Sequence, residues 1–309
     1  MRRLPHIWIV ALLLAPACSE DGETPENAAR LRAEVVFMSN GDGHWDLYRL
    51  PAEGGRPVRV TDDPSDEEMP SPSPNGSRLV FHSMRDGDDD IYAANADGSG
   101  WVNLTDNLAE DIGPAWSPDG RSIVFTSDRN GNFDLYRMDA NGQNVRRLTA
   151  SRGFDFHPAW SPDGRRIAFT SDRDGNYEVY VMDADGENVR RMTETPESEG
   201  APAWSPDGRT IAFSSYRTGN WDVYRMDADG TNVRNLTNAD AFDYGPAWSP
   251  DGGTIAFISD RVGNREVYRM DASGANLRRL TDDPASQFHP VWTLIPAHEP
   301  APSTTIPGY

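Results

Sequence analysis

Proline recurs as Pro70, Pro114, Pro158, Pro202, Pro246 and Pro290, a step of 44 residues with no insertion or deletion. The same step carries Phe37, Phe81, Phe125, Phe169, Phe213 and Phe257, and Tyr48, Tyr92, Tyr136, Tyr180, Tyr224 and Tyr268. Thr61, Thr105, Thr149, Thr193, Thr237 and Thr281 keep it as well. A chain that repeats so strictly must build one local unit six times and bury the faces of the copies against each other. In the copy that opens at Pro158, short apolar segments are read at 158–160, 167–171, 178–182 and 189–193. Between them lie Ser161-Pro162-Asp163-Gly164, Asp172-Arg173-Asp174-Gly175-Asn176 and Asp183-Ala184-Asp185-Gly186. These are turns by mechanism, since Pro presets φ, Gly supplies φ > 0 and Asp bonds its own backbone. With 27 Gly, 24 Pro and only 37% hydrophobic residues, no segment has the length or the 3.6-residue period of a helix.

Four antiparallel strands in each of six copies predict an all-β, six-bladed β-propeller of 44-residue, four-stranded blades. The first copy begins at Val35 with its second strand, and the chain supplies one extra first strand at His289-Pro290-Val291-Trp292. That C-terminal strand is expected to complete blade 1, leaving no open sheet edge at the seam. The propeller is assigned to 35–293, and a proline-rich tail to 294–309. Trp116, Trp160, Trp204, Trp248 and Trp292 read as packing between blades; Pro72 takes their place once, so one interface should be looser.

The unit Pro-Ala-Trp-Ser-Pro-Asp-Gly-Arg-Arg-Ile-Ala-Phe-Thr-Ser-Asp-Arg-Asp-Gly-Asn at 158–176 resembles the WD-like repeat of the TolB propeller family. The same repeats occur in the propellers of prolyl oligopeptidases. The resemblance covers all six blades. It implies the fold, and by analogy a Pal-like, peptidoglycan-associated protein partner. TolB carries an α/β domain ahead of its propeller, where this chain has a short stretch, 18–34, that is acidic and lacks aromatics.

Residues 1–17 read as a secretory signal: Arg2 and Arg3, then an apolar run from Ile7 to Leu14 too short to span a bilayer. The run ends in Leu14-Ala15-Pro16-Ala17-Cys18, which resembles the lipobox of bacterial lipoproteins, although Ala15 stands where that pattern has leucine. Cys18 is the only cysteine, so a disulfide framework and a four-thiolate zinc or iron–sulfur site are excluded. Lipidation of Cys18 would anchor the protein stably if two or more acyl chains were attached, and Ser19 next to it suggests, by resemblance, the periplasmic face of the outer membrane. The alternative is an ordinary signal peptide in which the cysteine has no role. Residues 18–34 then form a tether. All 29 basic residues are arginine, and the net charge of −20 argues against nucleic acid. Anchoring must therefore come from lipid alone.

The Asp-Arg-Asp-Gly turn and the long connection from Thr193 to Pro202 share one face of the ring. Connections on this face differ between copies, while the Pro-Asp-Gly and Asp-Ala-Asp-Gly turns of the other face are nearly identical. Variable loops on a rigid scaffold are where partners bind. Glu67, Asp111, Asp155, Glu199 and Asp243, with Gln287 sixth, stand three residues before each repeat proline. They are candidate channel-mouth acids for a cation or a basic partner. The alternative is pairing with Arg85, Arg129, Arg173, Arg217 and Arg261 of the neighbouring turn, for which Asp46, Asp90, Asp134, Glu178, Asp222 and Glu266 compete. Phe154, Phe156, His157, Phe242, Tyr244, Phe288 and His289 are candidate partner-binding residues; the alternative is that they plug the channel. His157 and His289 are three blades apart and should face each other across the axis, where the channel is expected to hold them too far apart to share an ion.

Gly-x-Ser-x-Gly, His-Glu-x-x-His, P-loop and dinucleotide fingerprints are absent. The expectation is a monomeric, non-catalytic, cofactor-free propeller of the cell envelope that binds a protein or peptide. The alternative is a cation-binding propeller or a metal-dependent, lyase-like enzyme centred on the channel, as in oligogalacturonate lyases with similar blades.

Overall fold

The computed structural model describes residues 31–296. Cys18, the signal-like segment, most of the tether and the tail from 297 onward lie outside the described residues. Six four-stranded antiparallel sheets follow one another around an axis. Blade 4 is typical, with strands Asp155–Trp160, Arg166–Ser171, Glu178–Asp183 and Arg190–Arg191. Blade 1 combines Gln287–Pro296 with Leu31–Ser39, Asp46–Pro51 and Val58–Arg59, so the last strand closes the ring. Val35 pairs with Trp292, and the pairing runs out to Leu31 and Pro296, beyond the 35–293 span expected from the repeat.

The repeated side chains explain the repeat. Phe37, Phe81, Phe125, Phe169, Phe213 and Phe257 are all buried, and each such burial stabilises by roughly 1.5–3 kcal/mol. In blade 4, Phe169 stands opposite Tyr180 on the neighbouring strand, ring centroids 5.7 Å apart. The repeated threonine serves the outermost strand, which is only two residues long. Thr193 Oγ1 accepts the Val179 N–H at 2.9 Å and donates to buried Glu178, extending the ladder with a side chain. Turns follow the expected chemistry: in Ser161–Gly164, Asp163 accepts the Ser161 hydroxyl at 2.6 Å and the Arg165 N–H at 3.1 Å. Gly186, at φ +96°, is required twice over, because a Cβ there would sit 2.5 Å from the Leu148 carbonyl oxygen of the preceding blade.

Two expectations change. The innermost strand begins at Asp155 rather than Pro158 and takes in Phe156 and His157. Its register with the second strand breaks between Phe156 and Ala159, a bulge at which His157 adopts φ +51°. The interface at Pro72 is also filled from elsewhere. Trp101, where other blades hold Val145, Val189, Val233 or Leu277, stacks edge-on against Phe81 at 4.8 Å. It joins a core that includes Val36, Met38 and Leu47 of blade 1.

Candidate functional site

The bulge of every innermost strand puts one residue with positive φ at the axis: Met69, Gly113, His157, Ala201, Gly245 and His289. Left-handed backbone disfavours residues with a Cβ by about 1–2 kcal/mol each, and four of the six places carry one. With the prolines that follow, they line an axial cavity of about 230 Å³. His157 and His289 reach across it until their ring centroids are 6.1 Å apart, planes inclined by 28°. This corrects the expectation of a channel too wide for the pair: the bulge turns both residues inward, and sequence separation reports angle around the ring but not radius. Burial lowers His157 to about 4 and His289 to about 3, the latter with help from His157 and His82, so both are neutral at physiological pH. His157 Nδ1 is buried without a partner. Among the described residues no group of three or more His, Cys, Asp or Glu is arranged to hold a metal ion.

The candidate acids are not offered to the mouth. Glu67, Asp111, Asp155, Glu199 and Asp243 are all 0% exposed. Four are held by the arginine two residues beyond the second strand. Arg129 bonds both oxygens of Asp111 at 2.8–2.9 Å, Arg173 those of Asp155 at 2.9–3.0 Å, and Arg261 those of Asp243 at 2.8 Å. Arg217 holds Glu199. The reading of these carboxylates as a ligand ring is therefore corrected in favour of ion pairing. The competing acids take a different partner, which sequence reasoning missed: Asp46, Asp134 and Glu178 are held by Arg59, Arg147 and Arg191 from the outermost strand. Asn103 and Asn235 serve Asp90 and Asp222 in the same way at 2.9 Å.

Glu67 is the exception. Its arginine counterpart, Arg85, turns to Asp63 at 3.5 Å and lies over the Trp101 ring at 4.8 Å. Glu67 keeps only a 3.2 Å bond from the Ser83 hydroxyl, and its Oε2 has no partner. Burial raises this carboxyl to about 8 against the pull of Thr61 and Ser83, with Asp46 and Asp63 adding to the rise.

The aromatic candidates assemble into two arcs. Phe154 and Phe156 meet each other at 6.2 Å, and Phe133 at 6.0 and 5.2 Å. On the other side Trp221 contacts Tyr216 at 5.6 Å and Tyr244 at 5.1 Å, and Tyr244 stacks on Phe242 at 5.6 Å. The Arg265 guanidinium bridges Phe242 and Phe288 at 4.5 and 4.4 Å, and Phe288 meets Trp45 at 5.4 Å. Phe154 is 42% exposed, while Phe156, Phe242, Tyr244 and Phe288 are half-buried. They belong neither to the sealed core nor to open solvent. Phe133, Trp221, Trp45 and Arg265 were missed in the sequence, although they share a register, Trp45, Asp89, Phe133, Tyr177, Trp221 and Arg265, just before each third strand.

Six closed blades, uniform on one face and divergent on the other, define a β-propeller with one variable mouth. The model of the TolB beta propeller domain matches residues 65–152, 114–199 and 193–295, and the chain belongs to that family. The comparison with curated proteins finds no match. Among solved structures, TolB from Acinetobacter baumannii is 25% identical with a TM-score of 0.75, covering 84% of this chain; the chain spans 66% of that protein. A putative TolB from Agrobacterium tumefaciens is 23% identical, TM-score 0.68, with 86% and 99% covered. An oligogalacturonate lyase in complex with manganese is 17% identical, TM-score 0.55, with 82% and 74% covered, a likeness of fold alone.

Proposed function

We propose that this TolB-family propeller is a non-catalytic protein of the bacterial cell envelope that binds a protein or peptide through its aromatic mouth. The observation that carries the reading is the pair of half-buried aromatic arcs on the face where the blades differ. Only Trp45 and Phe288 of these rings also pack against a blade core, and large, rigid aromatics at a mouth are what polypeptide hot spots use. Phe154, Phe156, His157, Phe242, Tyr244, Phe288 and His289 are the proposed contact residues. The signal-like segment and Cys18 support export and a lipid anchor on the periplasmic face of the outer membrane, with a Pal-like lipoprotein as the partner that resemblance suggests. The protein acts as a monomer.

The facing histidines favour a second reading, an ion held in the channel, because neutral imidazoles 6.1 Å apart can both reach one metal. Bait protein incubated with envelope extract, crosslinked and analysed by mass spectrometry separates the two. A partner captured by the wild type should be lost with Phe156→Ala, His157→Ala, Phe288→Ala and His289→Ala combined. Capture unaffected by those changes, or none at all together with stoichiometric bound metal, would replace the first reading with the second.

A further inference from the structure

The mouth is uneven around its axis, and blade 2 is its outlier. Where other blades place Trp45, Phe133, Tyr177 or Trp221 before the third strand, blade 2 has Asp89. Where three innermost strands carry Phe156, Tyr244 and Phe288, it has Glu68. Asp66 and Glu110 complete the sector. Burial raises Asp89 to about 6, with Glu110, Asp66, Asp90 and Asp88 adding to it. Glu68 rises to about 7 by burial, then by Asp66 and Asp89. Among the described residues, none of Asp66, Glu68, Asp89 and Glu110 has an arginine within 4 Å, unlike the paired acids of the neighbouring blades.

Among the described residues one side chain of potentially opposite charge comes within 4 Å of Glu68, and it is neutral. His82, 6% exposed, stands opposite Glu68 in the strand pairing, with Nε2 3.9 Å from a Glu68 oxygen. Burial lowers it to about 4, and its Nδ1 has no partner. Carboxylates that repel one another beside a buried imidazole whose Nδ1 has no partner raise the free energy of the unliganded site, and a cation docked among them relieves it.

The surroundings say what kind of cation fits. Leu108 is 94% exposed and Met84 50% exposed, at places where other blades hold Pro64, Arg152 or Asp240 and Asn40, Asp128 or Asp260. The four carboxylates do not form a group arranged to hold a metal ion, and apolar side chains at the rim have no use for a hydrated ion. A guanidinium or ammonium on an apolar stem satisfies both.

We propose that the blade 2 sector of the mouth, Asp66, Glu68, Asp89 and Glu110 with Leu108, docks a basic side chain carried by an otherwise apolar segment of a partner polypeptide, whose neighbouring residues lie on the aromatic arcs. This rests on the polypeptide-binding reading above and adds the chemistry of the ligand.

The test is selection from a random dodecapeptide display library on the full-length protein in detergent. The wild type is compared with the isosteric variant Glu68→Gln/Asp89→Asn/Glu110→Gln and with Phe156→Ala/Tyr244→Ala. Thermal melting checks that each variant is folded, and Glu110→Gln alone, an exposed change, serves if the triple variant is not. The best wild-type peptide is then titrated by fluorescence anisotropy with its arginine or lysine intact and replaced by a neutral isostere. The wild type should select peptides with a basic residue beside apolar ones. Neutralising that residue should weaken binding about tenfold on the wild type and under about twofold on the triple variant. Wholly apolar peptides, or equal losses on both proteins, would overturn the cationic docking and leave the aromatic mouth standing. Failure to select any peptide sensitive to Phe156→Ala/Tyr244→Ala would overturn both.

Discussion

Blade 4 and blade 2, at 155–191 and 67–103, are built from the same four strands and part company where those strands reach the mouth. In blade 4, Arg173 grips both oxygens of Asp155. Asn176 ties down the following loop by donating to the carbonyls of Thr195 and Glu197 at 3.1 and 2.8 Å. In blade 2, Arg85 has left Glu67, and Asp88 replaces the asparagine and cannot donate. The strands nevertheless keep the same register, Phe81 opposite Tyr92 as Phe169 is opposite Tyr180. Interior packing therefore holds the blade, and the polar clasps at the mouth are separable from it. A clasp that can be lost without losing the fold leaves its residues free for another task.

That comparison can be broken most forcefully at the clasp. Asp155→Ala strands the Arg173 guanidinium and should cost about 3–5 kcal/mol in urea unfolding. Glu67→Ala, with no arginine to abandon, should cost about 1 kcal/mol or less. Equal losses would mean that the two blades do not differ as described.

A smaller effect comes from pH. Glu67 is raised in the folded state to about 8, above its value in the unfolded chain, so the folded state binds the extra proton. Stability should fall as pH rises from about 4.5 to 8. Glu67→Gln, which copies Gln287 of blade 1, removes this titration and should gain about 1–3 kcal/mol at pH 8 and less at pH 5. A variant whose gain does not depend on pH would contradict a buried, protonated carboxyl. The smallest effect is Asp88→Asn, which restores the missing donor. It should add about 0.5–1.5 kcal/mol and slow amide exchange at 106–110; unchanged exchange there would show that the loop is not governed by this clasp.

Fold and closure were legible because they rest on period: a side chain that must be buried six times is written six times, as Phe37 to Phe257 are. The extra strand at His289–Trp292 likewise announced which blade it completes. The site was less legible. The bulge at His157 leaves no consistent mark, since its left-handed position is filled by Met69 and Ala201 as well as by Gly113 and Gly245, so the start of the innermost strand was misplaced. Phe133 and Phe156 lie in different blades and meet only because the third strand of one begins beside the first strand of the next. Arg59 and Arg147 were not recognised as partners of Asp46 and Asp134, because the outermost strand is too short to advertise its register. Distance to the axis, which brings His157 against His289, is set by blade packing and not by spacing.

The most direct test of a binding mouth is site-specific photo-crosslinking in intact cells. A benzophenone amino acid would replace Phe156 in one strain and Arg165, in the uniform turn of the opposite face, in another. The account predicts a discrete polypeptide adduct from position 156 and none from position 165. Adducts from position 165 alone, or the same adducts from both, would contradict it.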